Sequence, residues 1–275
     1  MTEAAEQAGR DGVRAMVGFN YRRVPALAHA ARLVADGRIG DIRHVRAQYL
    51  QDWITDPDFP LVWRLRKDQA GSGALGDLGS HVIDLLQYVT RQRLRGVSAV
   101  QKTFIGERPL PEASAGLTAT TSGTRRGQVT VDDATAFTGH LEGGALAVVE
   151  ATRFATGRKN AMRFEVNGSQ GSLAFDFESM NELHFHDATA DDTEAGFRRI
   201  LITEPAHPYL DAWWPPGHGL GYDHAFVHEI HDFVTAVADP GTPLRPSFAD
   251  GLQVQRVLDA VERSAADASR WTGVT

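Results

Sequence analysis

The stretch Gly71-Ser-Gly-Ala-Leu-Gly-Asp-Leu-Gly-Ser-His-Val-Ile-Asp-Leu-Leu-Gln-Tyr88 reads as a glycine-rich loop that turns into an amphipathic helix. At about 100° per residue, its apolar side chains fall in one arc: Leu75, Leu78, Val82, Leu85, Leu86 and Val89. A second stripe, about 120° away, holds titratable groups at spacings of four, three and four: Asp77, His81, Asp84 and Tyr88. Because such residues stack above one another on a helix, we expect the stripe to line a pocket.

An Asp and a His four residues apart are often no more than a side-chain pair on a helix surface. The glycines that precede and interrupt the helix start favour a functional interpretation instead: Gly71, Gly73, Gly76 and Gly79. Glycine lowers helix propensity, and it leaves a backbone that a ligand can approach closely. Because these four glycines lower the helix propensity of the segment, they indicate a ligand-binding site.

The segment Gly71 to Gly76 also matches the dinucleotide-binding pattern G-x-G-x-x-G. That pattern needs a hydrophobic strand before it and an acidic residue about 20 residues further on. Here a charged segment precedes it, and Arg95-Gly96-Val97 follows at that distance. We therefore reject the match, and no other segment supplies the pattern.

Composition limits the possible classes of protein. The 275 residues are 42% hydrophobic, enough for a packed core, and a net charge of −7 argues against a nucleic-acid or anionic-membrane partner. The absence of cysteine excludes disulfides, thiolate catalysis and cysteine-based zinc sites. The first residues contain no apolar signal region, and no run reaches the roughly 18 apolar residues of a membrane span. A cytoplasmic globular protein is expected.

The beginning of the chain predicts a polar helix over residues 2–10 and a short buried strand from Val13 to Phe19. A lone helix and a lone parallel-type strand have no partners of their own, so we expect the tail end of an α/β domain. Ligands in α/β folds sit at the ends of strands. Asn20 and Arg22 are therefore site candidates, the alternative being ordinary loop residues.

A helix from Pro25 to Asp36 and a strand from Ile42 to Gln51 come next. The loop from Asp52 to Lys67 is rich in Trp and Arg, Arg64 among them, and a loop of this composition just before the glycine stretch could cover a pocket. Its tryptophans could instead only anchor the loop to the core, which is the interpretation we favour for Trp53.

The pattern then changes to short strands bounded by turns, and alternation in several of them indicates a sheet buried on one face. The signals Glu142-Gly-Gly and Asn167-Gly168 predict hairpins, so the sheet should be open and mainly antiparallel. The segment Gly106 to Gly127 reads as a surface excursion. The predicted strands are Ser98–Ile105, Val129–Gly139, Ala145–Phe154, Ala161–Val166, Ser172–Phe177, Glu182–His186 and Phe197–Ile202.

The last part of the chain predicts a rigid aromatic loop around His218, a helix from Tyr222 to Val237 and a helix from Asp250 to Ala265. In the first of these helices three imidazoles share a face: His224, His228 and His231. The segment His228-Glu-Ile-His231 is one residue short of the zinc motif H-E-x-x-H, so a packed or solvated face is favoured over a metal site. No metal is assigned.

Four segments together resemble the C-terminal half of the Gfo/Idh/MocA oxidoreductases, the sugar and inositol dehydrogenases that use NAD or NADP. The likeness covers nearly the whole chain. The most specific segment is Gly73-Ala-Leu-Gly-Asp-Leu-Gly-Ser-His-Val-Ile-Asp84. The others are Val17-Gly-Phe-Asn-Tyr-Arg22, Asn167-Gly-Ser-Gln-Gly-Ser-Leu173, and Asp232-Phe-Val234 with Pro246-Ser-Phe-Ala-Asp-Gly251 downstream.

The resemblance implies an α+β fold: an open, mainly antiparallel sheet with helices packed on one face, like the C-terminal domain of glyceraldehyde-3-phosphate dehydrogenase. It also implies that His81 is the acid/base on a substrate hydroxyl and that Asp77 orients it or shares the proton. The substrate hydroxyls would be held by Asn20, Arg22, Arg64, Asp84 and His218, and Asn20 and Arg22 would also face the nicotinamide. The open sheet would mediate homo-oligomerisation.

The family begins with a Rossmann domain that carries the glycine pattern and a Glu-Lys-Pro motif, and this sequence has neither. We therefore expect residues 1–19 to be a remnant of that domain and residues 20–275 to be the substrate, catalytic and oligomerisation domain. Such a chain alone should bind NAD or NADP weakly and be inactive. A non-catalytic binding module and a metal-dependent sugar isomerase or hydrolase remain as alternatives.

Overall fold

The computed structural model of the chain describes residues 1–111, 113–115, 118–120 and 125–275. Its α-helices are α1 (Thr2–Arg10), α2 (Pro25–Ala35), α3 (Lys67–Ala70), α4 (Ser80–Thr90), α5 (Asp223–Ala238) and α6 (Phe248–Ala266). Short 3-10 turns occupy Asn20–Arg23, Trp63–Leu65 and Phe177–Ser179, and a π-helical turn, Leu75–Gly79, leads into α4. The strands are β1 (Ile42–Leu50), β2 (Leu94–Lys102), β3 (Glu107–Pro109), β4 (Ala113–Ala115), β5 (Thr118–Thr120), β6 (Arg126–Gln128), β7 (Ala134–Leu141), β8 (Leu146–Thr152), β9 (Ala161–Gly168), β10 (Gly171–Asp176), β11 (Glu182–Asp187), β12 (Arg198–Leu201) and β13 (Thr272–Gly273).

A single large sheet organises the described chain, with strand order β12-β11-β10-β9-β1-β8-β7-β2-β13. Within it β1 pairs with β8 in parallel, and the other neighbours are antiparallel. The two glycine signals for hairpins connect β7 to β8 and β9 to β10, as expected. The sequence expectation of a mostly antiparallel sheet is confirmed.

Helices α2, α4 and α6 cover one face of this sheet, and its inward side chains form the main core. Strand β7 shows the pattern clearly, because Phe137 and Leu141 are buried while Ala136, Thr138 and His140 are exposed. The apolar arc of the central helix is buried in the same core at every expected position. The opposite face of the sheet is open and includes the exposed side chains of β8, Leu146 and Val148.

The strand expected from Val13 to Phe19 is wrong, because these residues have no regular secondary structure. A strand is defined by pairing, and here the Val17 amide donates instead to the carbonyl of Pro246, at 3.0 Å. The helix expected over residues 2–10 is present as α1. The assignment of residues 1–19 to a dinucleotide-binding domain stays a prediction.

The expected surface excursion from Gly106 to Gly127 lies partly outside the described residues. In the described part, β3 pairs with β6 and β4 pairs with β5, each as a separate two-stranded ribbon. The strand expected to begin at Val129 begins five residues later, at Ala134. The intervening residues include Asp132 and Asp133, whose carboxylates accept hydrogen bonds from other loops, so this segment turns instead of pairing.

Candidate functional site

The start of the central helix is held by one carboxylate from a distant loop. Asp132 accepts the amide protons of Gly73 at 2.7 Å and Leu75 at 2.8 Å, and its carbonyl accepts that of Ala74 at 3.0 Å. The amide groups at a helix start lack intrahelical partners, so an anionic acceptor here both satisfies them and complements the helix dipole. The guanidinium of Arg153 donates to the same carbonyl, at 3.1 Å.

Gly73 is required by this close packing. A Cβ atom at this position would lie 1.8 Å from the Asp132 carbonyl oxygen and 2.8 Å from Nη2 of Arg153. Backbone contact with the loop at 132 therefore explains the glycine at position 73. Helix α3 stands before it, where a dinucleotide-binding turn needs a strand, which agrees with our rejection of the pattern.

A cavity of about 470 Å³ opens beside the helix start. Three segments meet around it: the 3-10 turn at residues 20–23, the end of β1 with the loop after it, and the π-helical turn. Single π-helical turns are frequent at functional sites. Its walls combine aromatic rings with a few polar side chains. The lining residues are Tyr21, Tyr49, Gln51, Trp53, Phe59, Arg64, Asp77, Leu78, His81, Lys159 and Tyr222.

His81 is enclosed by aromatic rings on its inner side. The ring centroids of Phe19, Tyr21 and Tyr49 lie 5.7, 5.3 and 6.4 Å from its own. Nδ1 is buried without a hydrogen-bond partner among the described residues, which leaves Nε2 as the ring nitrogen that can meet a hydroxyl in the cavity. Burial lowers the pKa of His81, and the nearby charge of Asp77 raises it by less. The imidazole is therefore neutral at neutral pH.

Asp77 faces the cavity with its side chain 36% exposed, and its ion-pair partner is Arg153, whose Nη1 lies 3.6 Å from Oδ2. In the described structure no hydrogen bond joins Asp77 to His81. The role of Asp77 in orienting His81 or sharing its proton therefore stays a prediction; the charge of Asp77 raises the pKa of His81, but desolvation outweighs it.

A chain of hydrogen bonds joins the two tyrosines that pack beside His81. The hydroxyls of Tyr21 and Tyr49 are 2.5 Å apart, and that of Tyr49 also donates to Asn160 at 2.7 Å. Gln51 donates to the same oxygen of Asn160, at 2.8 Å. Burial raises the pKa of both phenols, that of Tyr49 to about 12, so they stay protonated and polar without adding charge.

The titratable stripe is divided between two surroundings. Asp77 and His81 face the cavity, where Arg64 joins them, while Asp84 is buried on the next turn. Nε of Arg22 donates to Oδ2 of Asp84 at 2.8 Å, and Nη2 donates to Oδ1 at 2.5 Å. Burial raises the pKa of Asp84 to about 6, against the opposing effect of Arg22. The Arg22 guanidinium also lies over the ring of Tyr88, at 5.1 Å.

Two further candidates lie away from the cavity wall. Asn20 is buried next to Tyr21, and its Nδ2 has no partner among the described residues. His218 is exposed on the aromatic loop, where its Nδ1 lies 2.8 Å from the carbonyl of Pro215. The structure thus brings together Asp77, His81 and Arg64 but not Asn20, Arg22, Asp84 or His218.

Several cavity residues were missed by the sequence analysis: Tyr21, Tyr49, Gln51, Lys159 and Tyr222. Tyr49 and Gln51 lie at the end of β1, and the rule that placed Asn20 at a strand end would have found them. Trp53, expected only to anchor its loop, both packs on Phe59 and lines the cavity.

Within the described ranges, no three His, Asp or Glu side chains converge as metal ligands. His228 has a structural role instead: its Nε2 accepts from Nε1 of Trp213 at 2.8 Å, and its Nδ1 lies 3.0 Å from the carbonyl of Arg23. None of the helices in the same ranges has the length and apolar content that a membrane crossing requires.

The described chain thus has a mostly antiparallel sheet with helices on one face and a cavity beside the central helix, and comparison with known proteins specifies its family. Residues 27–174 match the model of the GFO/IDH/MocA C-terminal domain. The chain belongs to the GFO/IDH/MocA family of oxidoreductases.

Three comparisons support this family at closer range. An oxidoreductase domain protein from Kribbella flavida is 62% identical with a TM-score of 0.93, over 100% of this chain and 70% of that one. Levoglucosan dehydrogenase from Pseudarthrobacter phenanthrenivorans is 45% identical over 94% of this chain and 66% of its own length. A solved levoglucosan dehydrogenase in complex with NADH and levoglucosan is 44% identical, with a TM-score of 0.85 over 94% of this chain and 66% of that one. The chain thus spans just under two thirds of this curated relative.

We expect Gly73→Ala to lower the free energy of unfolding by roughly 1–3 kcal/mol, because the new methyl group would overlap the Asp132 carbonyl. Urea denaturation measures the change. Gly106→Ala is the matched control, since no atom lies within 4 Å of a Cβ there. Equal stability of the two variants would show that the loop at 132 does not constrain the helix start.

The imidazole of His81 should titrate below the ordinary histidine value of about 6.5, because burial disfavours its charged form more than Asp77 favours it. Its neutral form therefore persists as the pH falls below that value. NMR titration of ring-labelled histidine, assigned with His81→Ala, measures the midpoint. A midpoint above 6.5 would show that the Asp77 charge dominates.

Proposed function

We propose that this chain supplies the substrate-binding and acid/base part of a dehydrogenase that moves hydride between a secondary hydroxyl of a sugar or polyol and NAD. The observation that carries the proposal is His81, a neutral base whose Nδ1 is buried against aromatic rings while the ring borders a cavity with Asp77. General bases work best when they are unprotonated at the working pH and within hydrogen-bond reach of the proton that they accept.

In this proposal, His81 accepts the hydroxyl proton at Nε2 as the alcohol is oxidised and returns it in the reverse direction. The carboxylate of Asp77 is the nearby anion that stabilises the imidazolium formed in this step. The rings of Tyr21 and Tyr49 exclude water from the inner side of the imidazole. Water exclusion strengthens the electrostatic interactions within the cavity.

The cavity walls suit a monosaccharide-sized ligand. Its volume falls within the range of small-molecule sites, which combine apolar surface with a few polar groups that fix orientation. Trp53, Phe59 and Tyr222 offer flat surface to the C–H face of a sugar ring. Gln51, Arg64 and Lys159 offer N–H donors to its hydroxyl oxygens. Because a curated relative that is 45% identical is a levoglucosan dehydrogenase, levoglucosan is the first substrate to test.

The nicotinamide cofactor supplies the hydride acceptor when bound. Among the described residues no short glycine-rich turn joins a strand to the start of a helix, so this part of the chain offers no cradle for a pyrophosphate. Asn20 is the group that would suit the carboxamide, since its buried Nδ2 lacks a partner in the described structure. We propose NAD instead of NADP as the cofactor because the solved levoglucosan dehydrogenase contains NADH. We keep the expectation that this chain by itself binds dinucleotides weakly.

The open face of the sheet is the proposed site of homo-oligomerisation, because it presents exposed apolar side chains on β8.

The alternative function is a non-catalytic binding module. It would use the same cavity to hold a sugar but would not need a desolvated base, so the effect of His81 on turnover separates the two functions.

In a preparation that oxidises levoglucosan or a related sugar, His81→Ala should lower kcat by about two to four orders of magnitude, the range for losing a general base. Cofactor affinity should change little, and Asp77→Asn should lower kcat by less. Initial rates of NADH formation at 340 nm measure the effect.

The matched control is His184→Ala, a histidine on β11 far from the cavity lining, which should keep normal turnover. Near-normal turnover of His81→Ala across neutral pH would contradict the proposed mechanism. Sugar binding without turnover, in a preparation that also binds NADH, would favour the binding module.

A further inference from the structure

Arg153 is a fully buried cation directly behind the candidate site. Its side chain is 0% exposed, and its Nε and Nη1 have no hydrogen-bond partner in the described structure. Nη2 donates to the carbonyl of Asp132 at 3.1 Å, and the guanidinium lies over the ring of Trp53 at 5.6 Å. Burying a charge is unfavourable unless an opposite charge is close. The position of that opposite charge therefore indicates what Arg153 does in this structure.

Three carboxylates act on Arg153 electrostatically, but two of them are used by backbone amides. Asp132 accepts the amides at the helix start, and Asp133 accepts those of Phe104 and Ile105. Asp133 uses one oxygen for these amides, and its Oδ1 is buried without a partner in the described structure. Of the three carboxylates, Asp77 is the one that forms an ion pair with Arg153, with its Oδ2 3.6 Å from Nη1. Thus the buried guanidinium and the His81 imidazole both have Asp77 as their nearby anion.

We propose that Arg153 is a positioning residue that holds the Asp77 carboxylate back from the His81 imidazole, so that His81 meets the substrate as a free, neutral base. This role rests on the proposed function for its catalytic meaning. Without Arg153, the partly exposed carboxylate of Asp77 would be free to turn toward the imidazole. An Asp–imidazolium pair would then form, and a histidine already protonated cannot accept the hydroxyl proton.

The other charged or titratable groups around His81 do not account for a change in its protonation when Arg153 is replaced. Tyr21 from the 3-10 turn and Tyr49 from β1 stay neutral, because burial raises the pKa of both. The cavity lining also contains Tyr222 and the cations Arg64 and Lys159. A substitution at position 153 does not change these side chains. Asp84, on the next turn of the helix, is paired with Arg22.

The experiment is an NMR titration of the His81 ring in the chain as it stands, with wild type and variants compared. Arg153→Met and Arg153→Gln should raise the titration midpoint of His81 by roughly half a pH unit or more, which is less than the about 1–3 units of a new opposite charge because Asp77 already acts on the ring. Arg153→Lys, which keeps the cation, should raise it by less than half as much. In an Asp77→Asn background, Arg153→Gln should have less than half of its effect in the wild-type background.

The matched control is Arg108→Gln, because Arg108 is equally buried but donates to the carbonyls of Ile54 and Asp56 and forms no ion pair with Asp77. We expect it to destabilise the fold while the midpoint of His81 stays the same. Loss of stability alone is therefore distinguished from positioning. Should Arg153→Met not fold, Arg153→Gln, which can still donate a hydrogen bond to Asp132, gives the same comparison.

An unchanged or lowered midpoint in a folded Arg153→Gln variant would overturn the proposal, as would an equal shift in Arg108→Gln or an undiminished shift in the Asp77→Asn background. None of these measurements needs cofactor or turnover. If sugar and NADH both bind and no sugar is oxidised, the proposed function fails while the titration still decides the role of Arg153. In an active preparation, the acid limb of the kcat/KM profile should move to higher pH with the midpoint.

Discussion

The hydrogen bonds from the start of the central helix to Asp132 are the contact on which the candidate site depends. They fix where the π-helical turn begins, and that turn places Asp77 one turn before His81 along the helix. The same loop supplies the carbonyl that holds Arg153, so the helix start and the ion pair of Asp77 share one anchor. Only a glycine fits at position 73 between these groups, because the two backbones approach each other closely there.

Two opposing effects act on His81, and desolvation is the larger. The aromatic rings of Phe19, Tyr21 and Tyr49 remove water from the imidazole, while Asp77 contributes an attractive charge that is shared with Arg153. A histidine in water beside an unpaired carboxylate would be protonated more readily. The enclosure thus favours the neutral form, which is the form that a base needs. The ion pair behind Asp77 acts in the same direction.

The parts of this architecture that follow local periodicity were visible in the sequence. The apolar arc of the central helix, the alternation in β10 and the hairpin glycines each depend on neighbours within a few residues. The contacts that shape the site are long-range: Asp132 is 59 residues from Gly73, and no pattern at either position indicates the other. Arg22 and Asp84 are also far apart in sequence, by 62 residues. Because they pair with each other, neither of these two expected site residues lines the cavity. The strand expected at 13–19 had the right composition, but pairing partners decide whether a strand forms.

The most direct measurement of the central claim is a crystal structure of the chain with a bound sugar, levoglucosan first. We expect the sugar in the cavity between Trp53 and His81, with a hydroxyl oxygen at about 2.6–3.2 Å from Nε2, the reach of a general base. We also expect the Asp77 carboxylate to remain on Arg153. A sugar bound in this cavity with every hydroxyl beyond hydrogen-bond distance of His81, or bound elsewhere on the chain, would contradict the account.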